Sequence, residues 1–135
     1  MSNSECEIPR EPAVENPDEI ISLCHALRKL AQNWKLAPEE ASALMGFSIQ
    51  GWKEIEGDKL PDGLNSEQVT RAFYLIDMFA DLRTVFHGPL TYGWPTHSNT
   101  GPGYEGRRPI DIMIEGGLSG IRRTWHHIKA LGQGM

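Results

Sequence analysis

A chain of 135 residues suffices for one domain, or for two small helical subdomains sharing a core. A hydrophobic fraction of 39% and a charged fraction of 23% are those of a globular protein and exclude disorder throughout. The net charge of −5 is uneven: residues 1–85 carry fifteen Asp/Glu against eight Lys/Arg and residues 86–135 three against five, which excludes a uniformly basic nucleic-acid binder.

Residues 1–15 are polar and acidic, with Pro9 and Pro12 opposing a helix, and are expected to form a flexible acidic tail. The first helix is predicted over 17–33. Asn16 can cap it, Pro17 suits the first helical position, and Asp18 and Glu19 favour the positive end of the dipole. Ile20, Leu23, Cys24, Leu27, Leu30, Ala31 and Trp34 then recur every three to four residues as one apolar face. Pro38-Glu39-Glu40 opens a short second helix that faces Ala41, Leu44 and Met45 inward and stops at Gly46. Ser48 caps a third through Ile55, and a turn-rich loop from Gly57 to Gly63 follows.

The fourth and longest helix starts at a cap on Asn65 or Ser66. Val69, Ala72, Phe73, Ile76, Phe79 and Ala80 make one apolar stripe, and Leu75, Met78, Leu82, Val85 and Phe86 a second. A helix this apolar is expected to be central. Residues 87–107 hold five Gly and three Pro together with Tyr92, Trp94 and Tyr104. A loop of that length is functional or mobile, and its aromatics are either pinned to the core or part of a contact surface. Pro109 restarts a helix that ends at Gly116-Gly117. The last helix runs from about Leu118 to Leu131 on Leu118, Ile121, Trp125, Ile128 and Leu131, with Gly132 as its cap. The fold expected is all-α with six helices: a tail at 1–15, a helix-turn-helix region at 16–64, and a C-terminal unit at 65–135 joined through the long central helix.

Nothing in this pattern predicts catalysis, a cofactor or a metal. No nucleophile elbow, phosphate loop or dinucleotide loop occurs. The five histidines lack convergent spacing: His126 and His127 point about 100° apart on a helix. Cys6 and Cys24 form no Cys-x-x-Cys motif, no secretory signal opens the chain, and no apolar run reaches membrane-spanning length, so a cytoplasmic, membrane-free protein is expected. Residues 38–56 have helix-turn-helix spacing, and Ser48, Gln50 and Lys53 are the side chains that could reach DNA. Glu54 and Glu56 oppose that reading, since phosphates repel carboxylates; a helix pair kept for packing or dimerisation is the alternative. The C-terminal third concentrates aromatics and the arginines Arg107, Arg108, Arg122 and Arg123, residue types that dominate protein interfaces. A guanidinium cluster suits an acidic cleft or the phosphates of a ligand held by a partner.

Trp94 and Asn99, then Tyr104 and Gly106, then Pro109-Ile110-Asp111, then Gly116-Gly117 leading to Ile121, resemble the toxin-binding domain of the Xre/MbcA/ParS antitoxins. The upstream helix pair and long helix extend the resemblance over about 18–131. Two departures stand out: Ser98 takes the place of a usual Pro, and Gly101-Pro102-Gly103 lengthens the run before Pro109. The resemblance implies a type II antitoxin, a homodimer within a toxin–antitoxin hetero-oligomer. Its implied partner is a RES-domain toxin, an NAD-consuming enzyme whose cleft the C-terminal region would occlude, and the helix-turn-helix would bind operator DNA. It makes Trp94, Asn99, Tyr104, Arg107, Arg108, Arg122 and Arg123 the toxin-binding candidates, and Pro109, Gly116 and Ile121 scaffold. A stand-alone helix-turn-helix regulator is the rival reading, and a small helical enzyme or ligand carrier a third.

Overall fold

The computed structural model describes residues 14–86, 88 and 90–133. Most of the expected acidic tail, with Cys6, and His87 of the loop lie outside the described residues. Among the described residues the architecture is all-α: α1 (Pro17–Asn33), α2 (Pro38–Met45), α3 (Ile49–Glu56), α4 (Ser66–Val85), the single turn α5 (Leu90–Gly93), a 3-10 turn at Trp94–Thr96, and α6 (Pro109–Gln133). No described helix is long and apolar enough to cross a membrane.

The starts follow from capping. Asn16 Oδ1 accepts from the Asp18 and Glu19 amides, Ser48 Oγ from Gly51, and Asn65 Oδ1 from Gln68, whose side chain accepts from the Asn65 amide in return. Glu40 Oε1 accepts from the Ala37 amide at the head of α2. Gly46 ends α2 at φ 82°, a left-handed conformation that favours glycine. Val14 is already structured: it exchanges two backbone hydrogen bonds with Leu64, of 3.1 and 2.9 Å.

The central helix is α4, which touches α1, α2, α5 and α6. Its buried residues are Leu75, Met78 and Leu82 of the second predicted stripe, which is the core stripe, and Ala72 of the first. The first is split. Phe79 packs edge-on to Trp34 of α1, while Phe73 is 68% exposed. The reason is geometric: two stripes on one helix exceed the arc its neighbours can cover.

Two further expectations are corrected. The segment after α4 is not one loop, because Leu90–Thr96 forms two short helical turns that stack Tyr92 on Phe79 and Trp94 on Phe86. The last two predicted helices do meet at the expected Gly116-Gly117 break, but the second runs through Gln133, so Gly132 is not a cap. At the break, Gly117 is non-helical (φ 62°, ψ −145°) within α6. That backbone conformation is essentially confined to glycine. The break folds α6 tightly: a Cβ on Gly120 would lie 2.6 Å from the Ile112 carbonyl oxygen, so only glycine fits there.

Candidate functional site

Of the C-terminal residues singled out from the sequence, Trp94 and Tyr104 belong to the core: they are 8% and 5% exposed. Trp94 meets the ring of Tyr104 edge-on at 6.0 Å and that of His127 at 6.0 Å. The Tyr104 hydroxyl lies 2.6 Å from His127 Nδ1. Burial raises the Tyr104 phenol above its ordinary pKa, with the Arg123 charge opposing, so the phenol stays neutral and can donate to the imidazole. The three rings hold the loop between the 3-10 turn and Pro109 against the C-terminal half of α6.

Asn99 closes that loop. Its amide donates to the Arg107 carbonyl (3.0 Å), its carbonyl accepts from Gly106 (2.8 Å), and its Oδ1 accepts from Gly101 (2.7 Å). Gly101-Pro102-Gly103 makes the tip, where Gly103 and Gly106 adopt φ of 90° and 82°. Tyr104 and Asn99 thus build the platform, and a partner would meet the surface they shape rather than their side chains.

The four arginines divide into two pairs. Arg108 donates Nε and Nη2 to the two oxygens of Asp111 (2.9 and 2.8 Å) and Nη2 also to Glu40 Oε2 (2.9 Å). Those bonds hold the guanidinium charged well beyond its usual range and draw the Asp111 carboxyl below its own. Glu40 is shared, one oxygen capping α2 and the other gripping the start of α6, so Arg108 fastens two helices. Arg107 pairs with Glu115 at 2.9 Å on the surface. In contrast, Arg122 and Arg123 have no carboxylate within 4.0 Å among the described residues. Both are exposed on the outer face of α6 with Ser119, His126 and Ala130, a face without an acidic side chain. Lys29, Lys35, Lys53, Lys59 and Arg83 are also exposed without a carboxylate partner among the described residues, but Arg122 and Arg123 are adjacent and form a two-arginine patch on a protein whose net charge is −5.

That ridge has a distinct flank on each side. Toward α4, the Arg122 guanidinium lies 6.0 Å from the Tyr74 ring centroid. Tyr74 meets Phe73 at 6.3 Å and Trp125 at 5.3 Å, both edge-on. Trp125 Nε1 donates to Asp77 (2.7 Å), and Lys129 bridges Asp77 and Asp81 at 2.8 and 2.9 Å. The Lys129 hydrogen bond is the main cause of an Asp77 pKa below the ordinary carboxylate range. Toward the loop, Arg123 borders a cavity beneath Tyr104.

The helix-turn-helix candidates fare differently. The Ser48 hydroxyl is the α3 cap and Gln50 Nε2 donates to Glu54 at 3.2 Å, whereas Lys53 is exposed. The acidic Glu54 therefore sits among the residues that would face DNA. Among the described residues no three His, Cys, Asp or Glu side chains converge as metal ligands would.

His127, Glu40, Asp77 and Tyr74 are site residues that sequence reasoning passed over. His127 and Tyr104 are 23 positions apart, and Glu40 and Arg108 are 68 apart, with no motif joining either pair. No known family model matches the chain, and neither does any curated protein or solved structure.

Proposed function

We propose that this protein binds a protein partner through the outer face of α6 and the adjoining 94–108 loop, and that it acts as a type II antitoxin. The partner in this reading is a RES-domain, NAD-consuming toxin, whose cleft the loop and Arg122–Arg123 ridge occlude. One observation carries it: two neighbouring exposed arginines stand without acidic partners, while Arg107, Arg108 and Lys129 are internally paired. Exposed arginine beside aromatic surface is the composition of interface hot spots. The resemblance of the Trp94–Ile121 residue pattern to antitoxin toxin-binding domains names the class of partner. Pro109, Gly116 and Ile121 serve as scaffold in this reading, and a homodimer and a cytoplasmic setting belong to it as well.

The test is co-expression with the product of the neighbouring gene. Rescue of growth, a co-purifying complex and inhibition of NAD consumption are expected, and Arg122→Ala with Arg123→Ala should abolish all three while leaving the fold intact. A complex that forms equally well with the double variant refutes the assignment of the surface; no complex and no rescue refute the function.

The rival is a stand-alone DNA-binding regulator. It is favoured by the exposed α3 residues Ile49, Gln50 and Lys53 and opposed by Glu54 and Glu56. Gel-shift with the protein's own promoter separates the two. Operator binding that is steeply salt-dependent, abolished by Lys53→Glu and independent of any toxin supports the regulator; operator binding only in the presence of toxin supports autorepression by the antitoxin complex.

A further inference from the structure

A cavity of about 330 Å³ lies between the tip of the 97–108 loop and α6. Pro102 and Gly103 of the loop and Arg123 of α6 are its exposed lining residues. Tyr104 and Thr124 are its buried ones, with Ile112 and His127 partly covered. Its volume is at the lower end of small-ligand sites and exceeds what one water molecule needs.

The two hydroxyls inside are already engaged, as is one ring nitrogen of His127. The Thr124 hydroxyl donates to the Gly120 carbonyl at 2.9 Å, and the Tyr104 hydroxyl and His127 Nδ1 bond each other at 2.6 Å. What remains is mainly ring faces and methyl groups, with the second His127 ring nitrogen and one charged group, Arg123. Its charge is felt at the Tyr104 phenol and is met by no carboxylate among the described residues. The complementary ligand therefore has an apolar body for the interior and a carboxylate that stays at the mouth.

An aspartate or glutamate side chain reverses that order, because its charge is at the tip and would be carried into the apolar end. A chain-terminal apolar residue has the right order, with side chain and carboxylate branching from one Cα. We propose that the cavity captures the carboxyl-terminal residue of the protein partner: an apolar side chain enters under Tyr104, and Arg123 pairs with the terminal carboxylate. The identity of the occupant as part of a partner rests on the partner-binding reading above; the chemistry of the cavity does not.

The probe is a four-residue peptide ending in leucine, titrated against the full chain and followed by NMR at the His127 ring, the Thr124 methyl and the Trp94 indole. Saturable shifts at these signals are expected. The C-terminal amide of the same peptide should bind about three- to tenfold more weakly, the range spanned by one exposed ion pair and a tighter bidentate one. Arg123→Gln should make acid and amide equal; Arg83→Gln, an exposed cation of α4 that does not line the cavity, should leave the difference intact. Equal binding of acid and amide to the unaltered chain overturns the proposal, as does the absence of shifts at millimolar peptide. Binding of free 4-methylpentanoate as tight as that of the peptide overturns the chain-end assignment in favour of a small organic acid. Peptide binding alongside failure to capture any toxin supports the cavity chemistry and counts against the antitoxin reading instead. A toxin complex that forms while the peptide does not bind refutes the cavity alone.

Discussion

Replacing Arg108 with alanine removes three charge-assisted hydrogen bonds at once and strands two carboxylates, Glu40 and Asp111. Breaking such a network in a dry interior costs about 3–5 kcal/mol. Here the side chains of Arg108, Glu40 and Asp111 retain 36%, 25% and 37% exposure, so water can take over much of the lost bonding. The Asp111 pair is local to the start of α6 and counts for a few tenths of a kcal/mol, as exposed pairs do. The Glu40 pair spans 68 residues and fastens α6 to α2, so its loss is felt by the tertiary structure. We expect about 1–2 kcal/mol in total. At about 2.1 cal/mol/K of unfolding entropy per residue, this lowers Tm by about 4–7 °C. Arg122→Ala with Arg123→Ala should stay within about 0.5 kcal/mol, less than 2 °C. Thermal melts by circular dichroism measure both, and the double-mutant cycle of Arg108→Ala with Glu40→Gln isolates the long-range pair. A melt of Arg108→Ala within 1 °C of the parent, or a coupling energy of zero, would show that the Arg108 bonds do not hold the helices together; Arg108 would then return to the partner-facing set.

Three further outcomes follow from the same structure. Leu75→Ala should cost about 2–5 kcal/mol in denaturant unfolding and Phe73→Ser less than about 0.5 kcal/mol, although both lie in predicted apolar stripes of α4; equal costs would misplace the core face. Gly120→Ala should cost more than 1 kcal/mol, roughly the level of core overpacking, because its Cβ meets the Ile112 carbonyl oxygen at 2.6 Å; a variant as stable as the parent would mean that the break at Gly117 relaxes freely. Asp77 and Asp111 ionise below their ordinary value in the folded chain, Asp77 chiefly through Lys129 and Asp111 chiefly through Arg108. The unfolded chain binds the protons first, so their contribution is complete above pH of about 4 and is lost as pH falls through the lower folded values. Urea titrations between pH 6 and 2.5 should show this fall, and Asp77→Asn should flatten it; an unchanged slope in that variant would remove Asp77 from the acid response.

The sequence alone determined α1 to α4 and their starts, because those depend on neighbours in the chain. Asn16, Ser48 and Asn65 cap where their side chains must, Gly46 stops α2 where φ turns positive, and the three- to four-residue spacing of α1 names its buried face. The Trp94–Asn99–Tyr104 pattern was also visible as a unit, since Asn99 closes its loop through contacts within eight residues. Only the tertiary structure decided which apolar stripe of α4 is covered, since both stripes have helical periodicity and only the position of α6 and α1 distinguishes them. It likewise separated the arginines. Arg107, Arg108, Arg122 and Arg123 are alike as residue types, but charge is compensated through space: Glu40 reaches Arg108 across 68 positions and no carboxylate among the described residues reaches Arg122 or Arg123. The outer face of α6 became the candidate site for that reason.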